Sequence, residues 1–171
     1  MELEKAKKIA EELVEMLKPA CERIEIAGSI RRRRTEVGDI ELLVIPKYEE
    51  TIDLLDRELG YHMLAQVFDH RRDRRGRITY GPKNKLLLHK PSGIGVDIFS
   101  VDEKNWGMAL FIRTGPKEWN IKAMSRFREL DMQGHAYGGI TAVDGGDIDC
   151  PDEETVFRYL QWPYIPPERR L

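Results

Sequence analysis

Residues 39–46, DIELLVIP, set two acids on one face at the start of the segment and apolar residues on the other. Side chains two apart on a strand point the same way, so Ile40 and Leu42 turn to one side while Asp39 and Glu41 project together on the other. Gly38 opens the segment and Pro46 stops it. A fold that accepts this strand needs a sheet with a core on one face and a charged site on the other. Two neighbouring carboxylates repel unless a cation neutralises them, and oxygen donors suit Mg²⁺ or Mn²⁺ rather than zinc. The device recurs in GVDIFS, residues 95–100, where Asp97 sits between Val96 and Ile98. Three acids on adjacent strands can hold two such ions about 3.5–4 Å apart, an arrangement suited to in-line displacement at phosphorus.

The 171 residues suffice for one good-sized domain or two small lobes with a shared core. With 41% hydrophobic and 34% charged residues the chain is a highly charged globular protein rather than a disordered one. No apolar run approaches the ~20 residues of a membrane span. The N-terminal MELEKAKKIAEELVEMLK mixes acid and base at helical spacing and is no signal peptide. These features predict an intracellular, cytoplasmic monomer with no membrane partner. Net charge is −2, which does not by itself favour a polyanion partner, but arginines cluster at 31–34 and in HRRDRRGR, residues 70–77. Cys21 and Cys150 lack metal-ligand spacing and are expected to be free and buried. His62, His70, His89 and His135 show no zinc pattern.

Periodicity divides the chain into an α/β part, residues 1–103, and a mostly helical part, residues 104–171. The first reads as helix 2–18, strand 23–27, a Gly28-Ser29 turn into a helix carrying the arginines, strand 39–46 and helix 50–59. Strands 63–68, 84–89 and 95–100 follow, with the arginine-rich segment as a loop. The second part reads as helices 104–113 and 116–130 broken at Gly115-Pro116, a hairpin region around the glycines at 138–146, and helix 152–160. The proline-rich end, QWPYIPPERRL, is not helical. Trp106, Trp119 and Trp162 are read as packing residues, Trp119 excepted because it adjoins Asn120.

A second element lies just before the carboxylates. Gly28 follows a strand, and backbone N–H groups at a helix start beside a glycine make an anion site. Ser29 is a natural N-cap, and Arg32 can reach the same end to hold a second phosphate oxygen. Each piece alone has an ordinary explanation: a cap, a solvated arginine face, a surface acid pair. Joined as strand, Gly-Ser, helix, Gly-Asp-x-Glu and a later strand acid, they describe a site for a nucleoside triphosphate carrying its metal.

These residues resemble the nucleotidyltransferase superfamily that includes DNA polymerase beta, whose signature is Gly-Ser, a short helix, an acid–x–acid strand and a third acid on a later strand. FIRTGPKEWN, residues 111–120, and EETVFRYLQWPYIPPERR, residues 153–170, are similar to segments of family X DNA polymerases. The resemblance implies an α+β fold: a mixed palm sheet with flanking helices, plus a small, mostly helical C-terminal subdomain with a short hairpin. It implies template-directed addition of dNTPs to a primer 3′-hydroxyl on gapped DNA, a DNA-repair activity, using two Mg²⁺ or Mn²⁺. A template-independent transferase, or one with a non-DNA acceptor, on the same scaffold is the alternative. Asp39, Glu41 and Asp97 would bind the metals, and Asp97 would help activate the hydroxyl. Gly28, Ser29 and Arg32 would hold the triphosphate, with Gly38 keeping the strand entrance clear. Ile112, Arg113, Thr114, Gly115 and Asn120 would line the sugar and base side of the nucleotide.

Departures accompany the resemblance. Glu41 replaces the usual Asp, Ile112-Arg113 replaces an aromatic pair, Met124 replaces a template-side arginine and Phe99 an arginine. Lys122 or Arg126 is the candidate to take the place of that template-side arginine. About 22 residues precede the first core strand, so the expectation is a minimal form without the N-terminal lyase and helix–hairpin–helix domains. A very small viral member of the family is its parallel. DNA contact then falls to Arg71, Arg72, Arg74, Arg75 and Arg77. Within the arginine run, Arg31 is expected to brace its helix, while Arg33 and Arg34 are surface charge.

Overall fold

The computed structural model describes residues 1–73 and 75–170. Arg74, one of the arginines assigned to DNA contact, lies outside the described residues, as does Leu171.

The chain begins with helix α1, Leu3–Leu17, followed by a 3-10 turn, Lys18–Ala20, that Pro19 enters. Strand β1, Cys21–Ile26, leads into a single helical turn, α2, Gly28–Arg31, and then strand β2, Asp39–Pro46. Two-residue strands β3, Tyr48–Glu49, and β4, Ile52–Asp53, form a small ribbon before helix α3, Leu54–Leu64. Strands β5, Phe68–His70, β6, Asn84–His89, and β7, Ile94–Ser100, complete the first part. Five strands form one mixed sheet in the order β1-β2-β7-β6-β5, antiparallel except where β2 runs parallel to β7.

The sheet's two faces differ as the alternation in β2 requires. Ile40, Leu42 and Val44, with Leu87, Val96 and Ile98, pack beneath Ala6, Ala10, Leu13 and Leu17 of α1 and Leu55 and Leu59 of α3. The opposite face carries the acids at one end. At the other, Leu43, Phe99 and Val101 meet Trp106, Ala109 and Leu110. Those last three belong to helix α4, Trp106–Thr114. Helix α5, Lys117–Glu129, and helix α6, Glu153–Leu160, pack against α4 around Met108, Phe111, Trp119, Phe127 and Phe157. A three-stranded sheet, β8 Gln133–His135, β9 Gly139–Thr141 and β10 Asp147–Ile148, covers this second core. The fold is α+β throughout, a mixed sheet with flanking helices plus a helical C-terminal region. None of the described helices is long and apolar enough to cross a membrane.

Several boundaries depart from the sequence expectations. Helix α3 starts at 54 rather than 50, because the Asp53 carboxylate accepts from the Leu55 and Asp56 N–H groups at 2.9 and 3.1 Å and caps it there. Met63 and Leu64 extend α3, so the strand expected at 63–68 is instead β5 at 68–70, after a turn at Gln66. The arginine run leaves the helix almost at once. Only Arg31 lies in α2, Arg32 ends it, and Arg33 has φ +55°. The N-cap position is Ala27 rather than Ser29, and it offers no side-chain oxygen. Ser29 lies inside the turn, with its buried hydroxyl lacking a hydrogen-bond partner. Cys21 and Cys150 are free and buried, as their spacing suggests.

Candidate active site

The register of the parallel pair β2 and β7 brings the acids together. Asp39 lies opposite Gly95, and Glu41 lies opposite Asp97. All three carboxylates therefore start from the same sheet face, one strand spacing apart. Burial, with the charges of Asp39 and Asp97, pushes the Glu41 carboxyl up to about 7, against the opposing pull of Arg32 and Arg113. Burial also pushes Asp97 up to about 6, although the Arg71 charge and hydrogen bond act in the opposite sense. This donor set is all oxygen and carries more negative charge than it can comfortably hold, which fits a hard divalent cation. The side chains are nonetheless not gathered round a common point. Among the described residues no group of three or more His, Cys, Asp or Glu takes metal-ligating positions.

Two contacts account for the spread. Glu41 turns toward α2, so close to Gly28 that a Cβ there would lie 1.7 Å from Glu41 Oε2. Gly28 also has φ +62°, which few other residues tolerate. Both reasons for a glycine at 28 thus concern the backbone turn and the second acid. Asp97 is held by Arg71, which donates from Nη2 to Asp97 Oδ1 and places Nη1 3.9 Å from Asp39 Oδ2. The sequence reading groups Arg71 with the loop arginines, but the structure sets it apart from them. Arg72, Arg75 and Arg77 are exposed, and Asp73 organises the turn by accepting from the Arg75 and Arg77 N–H groups and from the Arg77 guanidinium.

Beside Glu41 opens a cleft of about 540 Å³ between the sheet and the C-terminal helices. Arg32, Ile112, Arg113, Gly115 and Asn120, all candidates from the sequence, line it, and so do Lys117, Ser125 and Arg128, which no sequence pattern singles out. Apart from Glu41 the charged groups along it, Arg32, Arg113, Lys117 and Arg128, are cationic. Such a cleft is complementary to an anion. Arg113 is held between two rings, its guanidinium 3.7 Å from the centre of Phe99 and 4.9 Å from that of Tyr137. Asn120 donates from Nδ2 to the Ile112 carbonyl at 2.8 Å, which leaves its buried Oδ1 without a partner.

The remaining site candidates fall elsewhere. Thr114 is fully buried and does not line the cleft; its hydroxyl accepts from Arg31 Nη1 at 2.6 Å and its carbonyl from Arg32. Gly38 is exposed, and a side chain there would meet nothing within 4 Å. Lys122 is exposed on α5 but not among the cleft residues, and Arg126 is engaged by Glu129, the Leu160 carbonyl and Gln161. Trp119 packs with Phe111, Phe157 and Trp162, so its place beside Asn120 does not make it a stacking surface.

Arg31 does more than brace α2. Its Nη2 donates to Glu153 Oε2 at 2.7 Å, and the other Glu153 oxygen accepts from Arg170 Nη1 at 2.7 Å. Glu153 and Arg170 are buried. Burial alone would raise the Glu153 carboxyl, but hydrogen bonds from Arg31 and Arg170 outweigh it and hold it below the ordinary range. This triad pins the turn after β1 to α6 and to the C-terminal segment, spanning the two cores.

Residues 109–171 match the family model of the DNA polymerase beta thumb. The match starts within α4 and takes in α5, the small sheet and α6; of these, α4, α5 and the turn between them supply the C-terminal wall of the cleft. No curated protein matches the chain. The C-terminal region is thus similar to the thumb of DNA polymerase beta, which supports a relationship to family X polymerases and DNA as a partner.

Proposed function

We propose that the protein is a nucleotidyltransferase that adds a deoxynucleotide to the 3′-hydroxyl of a DNA primer under the direction of a template, as in filling a short gap. One observation carries this reading. A segment matching the DNA polymerase beta thumb forms one wall of a cationic cleft, and the sheet on the other side presents Glu41 with Asp39 and Asp97 beside it. A thumb needs a nucleotide and a DNA end to work on, and clustered carboxylates serve no purpose in a simple polyanion binder.

In this reading Asp39, Glu41 and Asp97 hold two Mg²⁺ or Mn²⁺. Bound there, the ions supply charge neutralisation at phosphorus and a lowered pKa for the attacking hydroxyl. The chain's own groups supply position and field. Arg32 and Lys117 are placed for the triphosphate in the cleft. Gly115 lets the nucleotide approach the backbone. Asn120, anchored through its amide nitrogen to the Ile112 carbonyl, lies on the cleft wall where it can meet the base edge. The α/β part, residues 1–103, is the catalytic palm, and residues 104–171 close over the nucleotide. Arg72, Arg75 and Arg77 contact the DNA backbone, binding that weakens steeply with salt.

The test is extension of a labelled one-nucleotide gapped duplex with each dNTP in turn, with Mg²⁺ and then Mn²⁺. Incorporation that follows the template base supports the reading. Incorporation that ignores it supports the template-independent alternative, which Arg113 favours by placing a cation where the resemblance calls for an aromatic ring.

A further inference from the structure

Arg71 stands where a cation belongs. Its backbone N–H is fixed to the sheet by a 3.0 Å hydrogen bond to the Leu86 carbonyl, so the side chain starts from a defined place at the end of β5. From there it crosses Gly95, the residue opposite Asp39 and two before Asp97. A Cβ on Gly95 would lie 1.9 Å from Arg71 Nη1 and 3.1 Å from its Cζ, so any larger residue there would push the guanidinium from this path. Along it, one nitrogen reaches Asp97 Oδ1 and the other comes within 3.9 Å of Asp39 Oδ2. Asp97 is largely withdrawn from solvent behind this contact, with its side chain 13% exposed.

Resting on the reading of these acids as metal ligands, we propose that Arg71 is a built-in plug: it neutralises Asp97 and Asp39 while no metal is bound, and a divalent ion must displace it to enter. The oxygen that Arg71 occupies on Asp97 is one that a metal would need. A guanidinium and a divalent ion also repel at such separations. The plug keeps the three carboxylates apart, consistent with the absence, among the described residues, of a gathered metal-ligating set. Arg71 also begins the segment that carries the exposed Arg72, Arg75 and Arg77. A DNA backbone drawn to those arginines therefore acts on the segment that holds the plug, which gives the site a route to open when its substrate arrives.

Mn²⁺ titration of the full chain, read by the electron paramagnetic resonance of the free ion, tests this without reliance on turnover. Arg71→Ala and Arg71→Gln should bind Mn²⁺ roughly tenfold more tightly than the unaltered protein, the scale of one partly screened ion pair. Arg71→Lys should lie between. Replacing Arg72, Arg75 and Arg77 together by serine should change the affinity far less, because these side chains are exposed and their charges are largely screened at physiological salt. In EDTA, Arg71→Ala should melt lower than the unaltered protein, and saturating Mn²⁺ should raise its melting temperature by more. Unchanged or weaker Mn²⁺ binding in both Arg71 variants would overturn the plug, as would equal tightening by the triple serine variant. If Asp97→Asn removes Mn²⁺ binding while the Arg71 variants do not tighten it, the plug fails and the metal site stands. If Mn²⁺ binds neither the unaltered protein nor Arg71→Ala, both fail.

Discussion

Glu153→Gln removes one charge from the middle of the junction and little volume. Glu153 accepts from Arg31 and Arg170, each at 2.7 Å. Its side chain is 3% exposed, that of Arg170 is fully buried, and that of Arg31 is 20% exposed. Glutamine keeps one acceptor but sets an amide N–H₂ against one guanidinium, and two cations remain with no counter-charge. Removing one partner of a buried ion pair costs about 3–5 kcal/mol. The partial exposure of Arg31 places this case at the lower end, about 3 kcal/mol. With a urea slope of about 2 kcal/mol/M, the unfolding midpoint should fall by about 1.5 M. Tryptophan fluorescence reads it, since Trp106 and Trp119 are buried in the packing on either side of α4. The loss should persist in high salt because the pair is shielded from ions. Acid should mimic it. Glu153 titrates below the ordinary range when folded, so its contribution is complete above the unfolded carboxyl pKa and disappears as pH falls through the depressed value. Glu153→Gln should lack that part of the acid sensitivity. A midpoint shift below about 0.3 M would refute the view that this triad ties the two cores together.

Further expectations test the site's construction. Gly28→Ala should cost about 1–2 kcal/mol from its left-handed backbone, plus a contact cost with Glu41 that disappears when Glu41→Ala is made in the same chain; a neutral Gly28→Ala would contradict the geometry. In EDTA, stability should decline as pH rises from the ordinary carboxyl range, about 4, to about 7, because Glu41 and Asp97 hold their protons longer when folded. Glu41→Gln should flatten that decline, and a profile unchanged by it would sink the assignment. Arg113→Ala should lose about 1 kcal/mol of stacking on Phe99 and Tyr137. It should also move the Glu41 titration upward, since the Arg113 charge lowers it, and nuclear magnetic resonance of the carboxyl carbon reads that shift.

What the residues reveal on their own follows the range of the forces involved. Alternation and a terminal proline mark β2 at residues 39–46, and NKLLLH marks β6 at 84–89, because each pattern is local. The same local rule places Ile40, Leu42, Val96 and Ile98 in the core and the three acids on the other face. The start of α3 shifts because Asp53, not the residues before it, supplies the cap. Contacts between distant positions leave no local mark. Arg31 and Glu153 are 122 residues apart, and Arg71 and Asp97 are 26 apart. An arginine run looks alike whether a given member is solvated, as Arg33 and Arg34 are, or is paired with a buried carboxylate, as Arg31 is. Gly95 illustrates the same limit, since its need for a bare α-carbon comes from a side chain that arrives across the sheet.

The most direct test of the central claim is single-turnover incorporation into a gapped duplex by the unaltered protein and by Asp39→Ala, with binding to the same DNA measured in parallel. Asp39 starts from the same sheet face as Glu41 and belongs to none of the buried hydrophobic clusters. The account predicts faster addition of the matched dNTP than of any mismatch. It also predicts that Asp39→Ala slows addition by at least about a hundredfold while leaving DNA affinity unchanged. Incorporation by Asp39→Ala at the unaltered rate would contradict it.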